Sequence, residues 1–215
     1  MSGAGYTRRA HRTVYENRWL RFEAHDIVHP NGRAGEHGLV VVPDASAVVA
    51  LDGDDVILTR QARFAVDRIV LEVVKGGAAA GETHLAAAQR ELREELGFVA
   101  ARWDDLGDAY EIPSIVQQPV RLFLARTLTA VATDPEDIES IDAVRMPFAA
   151  ALRAAGSGEI ADAITVAALL RTAHVLATEC ATSTNHAAPS DHGTPGEGTA
   201  TSKRPTPSDG SPLSP

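Results

Sequence analysis

One change of period constrains this fold more than any other feature of the chain. Before it, apolar residues tend to alternate with polar ones, and "HRTVYEN", "WLRFEAHDIVHP", "SAVVALDGDDVILTRQAR" and "IVLEVVKGG" read as strands. The "PNG" at residues 30–32 and a tight turn at residues 52–55 break them into antiparallel hairpins. Then, within "GGAAAGETHLAAAQRELREELGF" (residues 76–98), Leu85, Leu92 and Leu96 recur at spacings of seven and four among good helix formers. Gly97 is placed as the helix stop. Strand signals return in "EIPSIVQQPVRLFLARTL" and "IDAVRMP", while "FAAALRAAG" and "DAITVAALLRTAHVLATE" read as helices. A helix wedged between strands, with further helices at the end, predicts an α/β fold in which a mixed sheet lies between helical layers.

The central helix also carries an electrostatic anomaly. With Glu91 at zero on a wheel of about 100° per residue, Glu95 lies about 40° to one side, Glu94 about 60° to the other, and the leucines about 100–140° away. Each like-charge pair at these spacings costs about 0.2–0.5 kcal/mol in an isolated helix. A solvated face is the bland explanation, and Arg90 with Glu94 is a reasonable i,i+4 pair. A divalent cation would instead turn the repulsion into binding, because Mg²⁺ prefers oxygen ligands and commonly uses a few carboxylates plus substrate phosphates.

The spacing favours the cation. Gly76 is followed after five residues by Glu82, after seven more by Arg90-Glu91-Leu92, then after one by Glu94-Glu95 and after one by Gly97-Phe98. Every defined position of the Nudix box is filled, and the chain resembles the Nudix hydrolases. The resemblance implies an α/β/α sandwich and hydrolysis of a nucleoside diphosphate linked to another moiety, X. It implies metal binding by Glu91, Glu94 and Glu95, with a backbone carbonyl ligand around Lys75 and Gly76, and Mg²⁺ (alternatively Mn²⁺) as cofactor. Arg90 and Glu82 would orient the carboxylates and join Glu94 in the catalytic set. Gly76, Gly81 and Gly97 also have a plain reading as turn and helix-stop residues.

Outside the box the chain resembles the ADP-ribose and ADP-sugar pyrophosphatase branch over residues 12–177. "RQAR" at residues 60–63 is similar to that branch's "RQ-x-R" strand, and Glu72 sits before the box as in its "E-x-P-A-G". Pro113 stands sixteen residues after Gly97, where ADP-ribose hydrolases carry a proline. On this resemblance Arg60, Arg63, Glu72 and Pro113 are expected at the substrate. Three departures stand out: Gln118 replaces a glutamate, Ser114 replaces a glycine, and "VVKGG" replaces "L-P-A-G". Lys75 in that last stretch resembles Nudix enzymes acting on dinucleoside polyphosphates. The acidic "DPEDIES" suggests a general base at Glu136, with Glu139 as second choice, against a plain reading as a solvated loop. Phe64 and Tyr110 are the nearest aromatic residues for stacking on a base, and both read more readily as core.

A net charge of −9 argues against nucleic acid or an anionic membrane as partner. The single cysteine, Cys180, excludes an internal disulfide. The N-terminus lacks a signal-peptide core and no apolar run reaches about 18 residues, so a soluble, cytoplasmic protein is expected. His25, His29, His37 and His84 make no zinc spacing and read as surface histidines. Residues 1–43 are expected to form an N-terminal antiparallel β region that helps build a homodimer, residues 44–180 the hydrolase domain, and residues 181–215 a disordered Ser/Thr/Pro/Gly-rich tail. The rival reading is a sensor that binds a nucleotide metabolite without cleaving it. It would be favoured by degenerate box carboxylates, and none is degenerate here.

Overall fold

The computed structural model describes residues 5–132 and 141–186. Three strands, β1 (Thr7–Glu16), β2 (Arg21–Val28) and β3 (Ala34–Val41), pair antiparallel in sequence and form the expected N-terminal region. Its fourth strand is the two-residue β9 (Val116–Gln117), which runs parallel to β3 and stitches this sheet to the rest of the chain. The second sheet is built from β4 (Ala45–Asp52), β5 (Asp55–Arg63), β6 (Arg68–Glu72), β7 (Val74–Gly77), β8 (Phe98–Ala109), β10 (Val120–Ala130) and β11 (Asp142–Pro147). Its main path runs β11-β5-β4-β10-β8, with β6 paired to β5 and β7 to β4. β4 and β10 are parallel and every other strand pair in this sheet is antiparallel, which makes it mixed.

Side-chain alternation along the central strands divides the interior into two layers. Ala47, Val49 and Leu51 of β4 face α2 (Phe148–Ser157) and α3 (Ala163–His186), where they meet Leu122, Leu124, Ala151, Ile164 and Leu169. Val48 and Ala50 face the other way, onto Ala88, Leu92 and Leu96 of α1 (His84–Leu96). The result is the α/β/α sandwich. Thr83 caps α1 by accepting from the Ala86 N–H at 3.2 Å, and Gly97 ends it with a left-handed φ of 69°. Leu85, expected on the apolar stripe, is exposed in the first turn; Ala88 occupies the buried position one turn before Leu92. Ala87, four residues before Glu91 and so on its side of the helix, is fully buried.

Two features of the sheet escape sequence patterning. β8 spans 12 residues with three aspartates in it, so it shows no clean alternation. It is the edge strand, and its acidic groups are answered from β10: Arg121 pairs with Asp105 and Asp108, and Arg126 with Asp104. Conversely, most of "EIPSIVQQ" is not strand but the connection to β10. α3 is also longer than expected and runs to His186, past the boundary at residue 180. Among the described residues its stretch Ala163–Thr182, with mean hydropathy 1.2, is the one helical stretch long and apolar enough to cross a membrane. Its apolar face belongs to the core, while Glu179 pairs with Arg102 and Arg126 and Arg171 donates to the Leu106 and Asp108 carbonyls. Residues 187–215, most of the expected tail, lie outside the described residues.

Candidate active site

The acidic stripe of α1 closes over β7 at Gly76. A Cβ built on Gly76 would lie 1.8 Å from both Cδ and Oε1 of Glu91, so only glycine fits beneath that carboxylate. The φ of Gly76 is not positive, and the requirement is close approach alone. Arg90 organises what stands above. Its Nε and Nη2 each donate to Glu82 at 3.1 Å, its Nη1 donates to Glu91 at 2.7 Å and to Glu94 at 2.9 Å, and its Nη2 also reaches the Gly77 carbonyl at 2.8 Å. Glu82 is fixed in turn by the Ala79 N–H at 2.9 Å. The Arg90 hydrogen bonds, and then the Ala79 N–H, hold the Glu82 carboxyl below its ordinary pKa. The same contacts, led by Glu82, raise Arg90 further above its own. Glu95 completes the stripe with its Oε2 shielded from solvent.

These residues suit a hard divalent cation. Glu91, Glu94, Glu95 and the backbone at Gly76 offer oxygen donors only, and their charge exceeds what one guanidinium offsets. Among the described residues no three such side chains converge into a ready cage.

The expected substrate residues fall into different places. Glu72 is buried, and its oxygens are taken by Arg63 at 2.8 and 2.6 Å, by Gln61 at 3.3 Å and by Lys75 at 3.2 Å. Lys75 also donates to Asp162 Oδ1 at 2.8 Å, and Asp162 Oδ2 accepts from the Thr165 hydroxyl and N–H. Arg63, Glu72, Lys75 and Asp162 line a cleft of about 710 Å³, with Arg68 and Glu111 at its walls. Arg60, three positions from Arg63 on β5, leaves on the opposite face and pairs with Asp142 at 2.9 Å on the surface. Pro113 lines another cleft, of about 460 Å³, with Tyr6, Arg8, His25 and His37 of the N-terminal sheet. Gln118 donates to the Pro43 carbonyl at 3.0 Å. Glu136 and Glu139 lie outside the described residues.

Three readings of the sequence change. Phe64 and Tyr110, expected in the core, are exposed at 102% and 57%. His25 is buried, with Nε2 2.7 Å from Glu23 Oε2, rather than a surface residue. Asp162 and Thr165 were not singled out, because an Asp three residues before a Thr reads as a helix start and nothing local connects it to Lys75, 87 positions earlier.

Known proteins resemble the chain in family and fold. The NUDIX domain family model matches residues 42–169. The ADP-ribose pyrophosphatase of Bacillus subtilis (strain 168) is 28% identical over 163 residues, which cover 74% of this chain and 88% of that protein. The ADP-ribose pyrophosphatase of Mycobacterium tuberculosis (strain ATCC 25618 / H37Rv) is 34% identical over 131 residues, covering 59% of this chain and 63% of that one. Among solved structures, an ADP compounds hydrolase superposes with a TM-score of 0.74 at 25% identity, over 83% of this chain and 98% of the other.

Proposed function

Because the chain belongs to the Nudix family, we propose that it is a pyrophosphohydrolase that cleaves ADP-ribose or an ADP-sugar to AMP and a sugar phosphate. The observation that carries this reading is the Arg90 cluster locked against Gly76, with every box carboxylate present. Relatives that bear the names ADP-ribose pyrophosphatase and ADP compounds hydrolase supply the substrate class.

Glu91, Glu94, Glu95 and the Gly76 carbonyl would hold the divalent ion, Mg²⁺ or alternatively Mn²⁺. When bound, it neutralises phosphoryl charge and lowers the pKa of a coordinated water. The residues of the chain do the rest. Arg90 holds Glu91 and Glu94 in one orientation, and Glu82 holds Arg90. Water attacks one phosphorus, the bridging P–O bond breaks, and the departing phosphate keeps the bonding pair. The proton of that water goes to a carboxylate base, which we assign to Glu136 because an amide at Gln118 cannot accept it. Glu136→Gln should then lower kcat with little change in KM.

The reading includes a soluble, cytoplasmic homodimer without nucleic acid or membrane partners. β1 is exposed along its whole length and forms the edge of its sheet, which favours pairing with a second copy. Light scattering that gives a monomer mass across micromolar concentrations would remove the dimer. For the chemistry, the protein is incubated with ADP-ribose, ADP-sugars and dinucleoside polyphosphates plus Mg²⁺ or Mn²⁺, and the products are identified. AMP and a sugar phosphate are expected. Tight ADP-ribose binding without AMP release under either metal would make the protein a sensor.

A further inference from the structure

β6 and β7 are one run of chain that changes partner. Up to Glu72 it pairs with β5, where Glu72 stands opposite Thr59; from Val74 it pairs with β4, where Val74 stands opposite Val48. Val73 is the pivot between the two ladders and is fully buried. A buried backbone N–H at such a switch needs an acceptor from elsewhere. Here a helix supplies it: the Val73 N–H donates to Thr165 Oγ1 at 3.0 Å, across 92 positions of sequence. Just before the pivot, the Glu72 carbonyl accepts from the Thr59 hydroxyl at 3.2 Å.

Thr165 is itself held. It is fully buried in the first turn of α3. Its hydroxyl donates to Asp162 Oδ2 at 2.6 Å, and its N–H donates to the same oxygen at 2.8 Å, as to a helix N-cap. A hydroxyl has one proton, and with it committed to Asp162 the oxygen faces Val73 as an acceptor. Asp162 Oδ1 accepts from Lys75 Nζ at 2.8 Å, so the start of α3 grips the chain at residue 75 as well as at residue 73. Val73 packs in the layer under α2 and α3, and Val74 in the layer under α1. By strand alternation Gly76 turns towards α1, where its close approach to Glu91 couples any shift of β7 to that carboxylate.

We propose that Thr165 is a positioning residue for the metal site: through Val73 it fixes where β7 lies, and so where the Gly76 backbone stands against Glu91. Asp162 keeps the Thr165 hydroxyl in its accepting orientation. The proposal rests on the hydrolase reading for the identity of the site, and goes beyond it by giving α3, on the opposite face of the sheet from α1, a part in that site.

The test compares Thr165→Val, Thr165→Cys, Thr165→Ser and Thr172→Val. Valine removes the acceptor at nearly constant shape, cysteine offers a weak one, and serine keeps the oxygen. Thr172 is a second fully buried threonine of α3, and its Oγ1 has no hydrogen-bond partner among the described residues, so Thr172→Val reports what the exchange does to the helix alone. Mn²⁺ affinity is measured by electron paramagnetic resonance without substrate. Thr165→Val should weaken it about 10-fold or more, the range for losing a group that orients a metal ligand. The kcat for ADP-ribose should fall by a similar factor, with KM within about twofold. Thr165→Cys should lose less, Thr165→Ser should restore most of both, and Thr172→Val should stay within about twofold of wild type in both.

A lower Tm for Thr165→Val with wild-type Mn²⁺ affinity and kcat would make the bond a packing contact and overturn the proposal. Equal loss of Mn²⁺ affinity in Thr172→Val would overturn it too. Should Thr165→Val fail to fold, Thr165→Cys carries the same test, and wild-type Mn²⁺ affinity in it overturns the proposal. If the wild-type protein binds Mn²⁺ but releases no AMP from ADP-ribose, the hydrolase reading has failed, and the Mn²⁺ comparison still decides the role of Thr165. Wild-type protein that binds no Mn²⁺ would overturn both.

Discussion

Gly76→Ala separates the metal site from the fold more cleanly than any carboxylate substitution. The added methyl would lie 1.8 Å from Cδ and Oε1 of Glu91 and 2.5 Å from its Cγ. Real Cβ contacts essentially never fall below 3.0 Å, so one of the two must move by more than 1 Å. β7 is pinned by its ladder to β4, with Gly76 opposite Ser46, whereas Glu91 is the far end of a flexible side chain. Glu91 should therefore swing away and give up its bond from Arg90. Overpacking of this kind costs about 1–3 kcal/mol, towards the low end where a side chain can yield. Displacing a catalytic group by about 1 Å can cost about 100-fold in rate. We expect Mg²⁺-dependent AMP release to fall by about that factor and Mn²⁺ affinity to weaken, with a small loss in Tm. The neighbouring Gly77 is the control: its Cβ would meet nothing within 4 Å, so Gly77→Ala should keep stability within about 0.5 kcal/mol. Gly76→Ala with activity within about threefold of wild type and unchanged Mn²⁺ affinity would refute the claim that Glu91 acts from its place above Gly76.

Other expectations follow from the same contacts. Glu94→Gln and Glu95→Gln should each remove most metal-dependent turnover while leaving the metal-free Tm near wild type, since less charge on the stripe offsets what the Arg90–Glu94 pair contributes; near-normal turnover in both would sink the metal assignment. Asp162→Asn should destabilise the protein in a pH-dependent way. Burial works to raise the Asp162 pKa, but Lys75 and Thr165 outweigh it and hold the carboxyl below 3.8. A depressed folded value means the stabilisation is fully present above the unfolded pKa and is lost as pH falls through the folded one. The wild-type advantage in denaturant midpoint should thus be full at neutral pH and shrink below about pH 4; a constant difference down to pH 2 would show that charge is not its source. A chain ending after His186 should keep activity and Tm, since residues 187–215 offer almost nothing apolar to bury; a large loss on trimming would mean that the segment docks.

Much of the fold was legible because each central element obeys one period. β4 alternates its side chains between two helical layers, and α1 ends where Gly97 says it should. The carboxylate stripe was legible for the same local reason: spacings of three and four within one helix fix relative direction. β8 was not, because an edge strand held by cross-strand ion pairs needs no hydrophobic alternation. Arg60 and Arg63 look equivalent in "RQAR", yet their three-residue spacing sends one to a surface pair and the other to Glu72. The Lys75–Asp162 contact joins residues 87 positions apart, and only the tertiary fold, which brings the residue before α3 to β7, creates it.

The two sides of β7 carry different electrostatics, and the difference follows from who answers whom. On the α1 side one guanidinium touches Glu82, Glu91 and Glu94 and offsets one of three negative charges. Glu95 adds a fourth carboxylate to this side, and such a set of oxygen donors suits a hard divalent cation. On the α3 side Arg63 and Lys75 face Glu72 and Asp162 in equal number, so that network carries no net charge. A site with a negative excess draws a metal ion, and through it the diphosphate. A balanced network instead holds its elements together through paired charges and hydrogen bonds. The glycine at position 76 is the hinge of this division, since any side chain there would push Glu91 off the metal side.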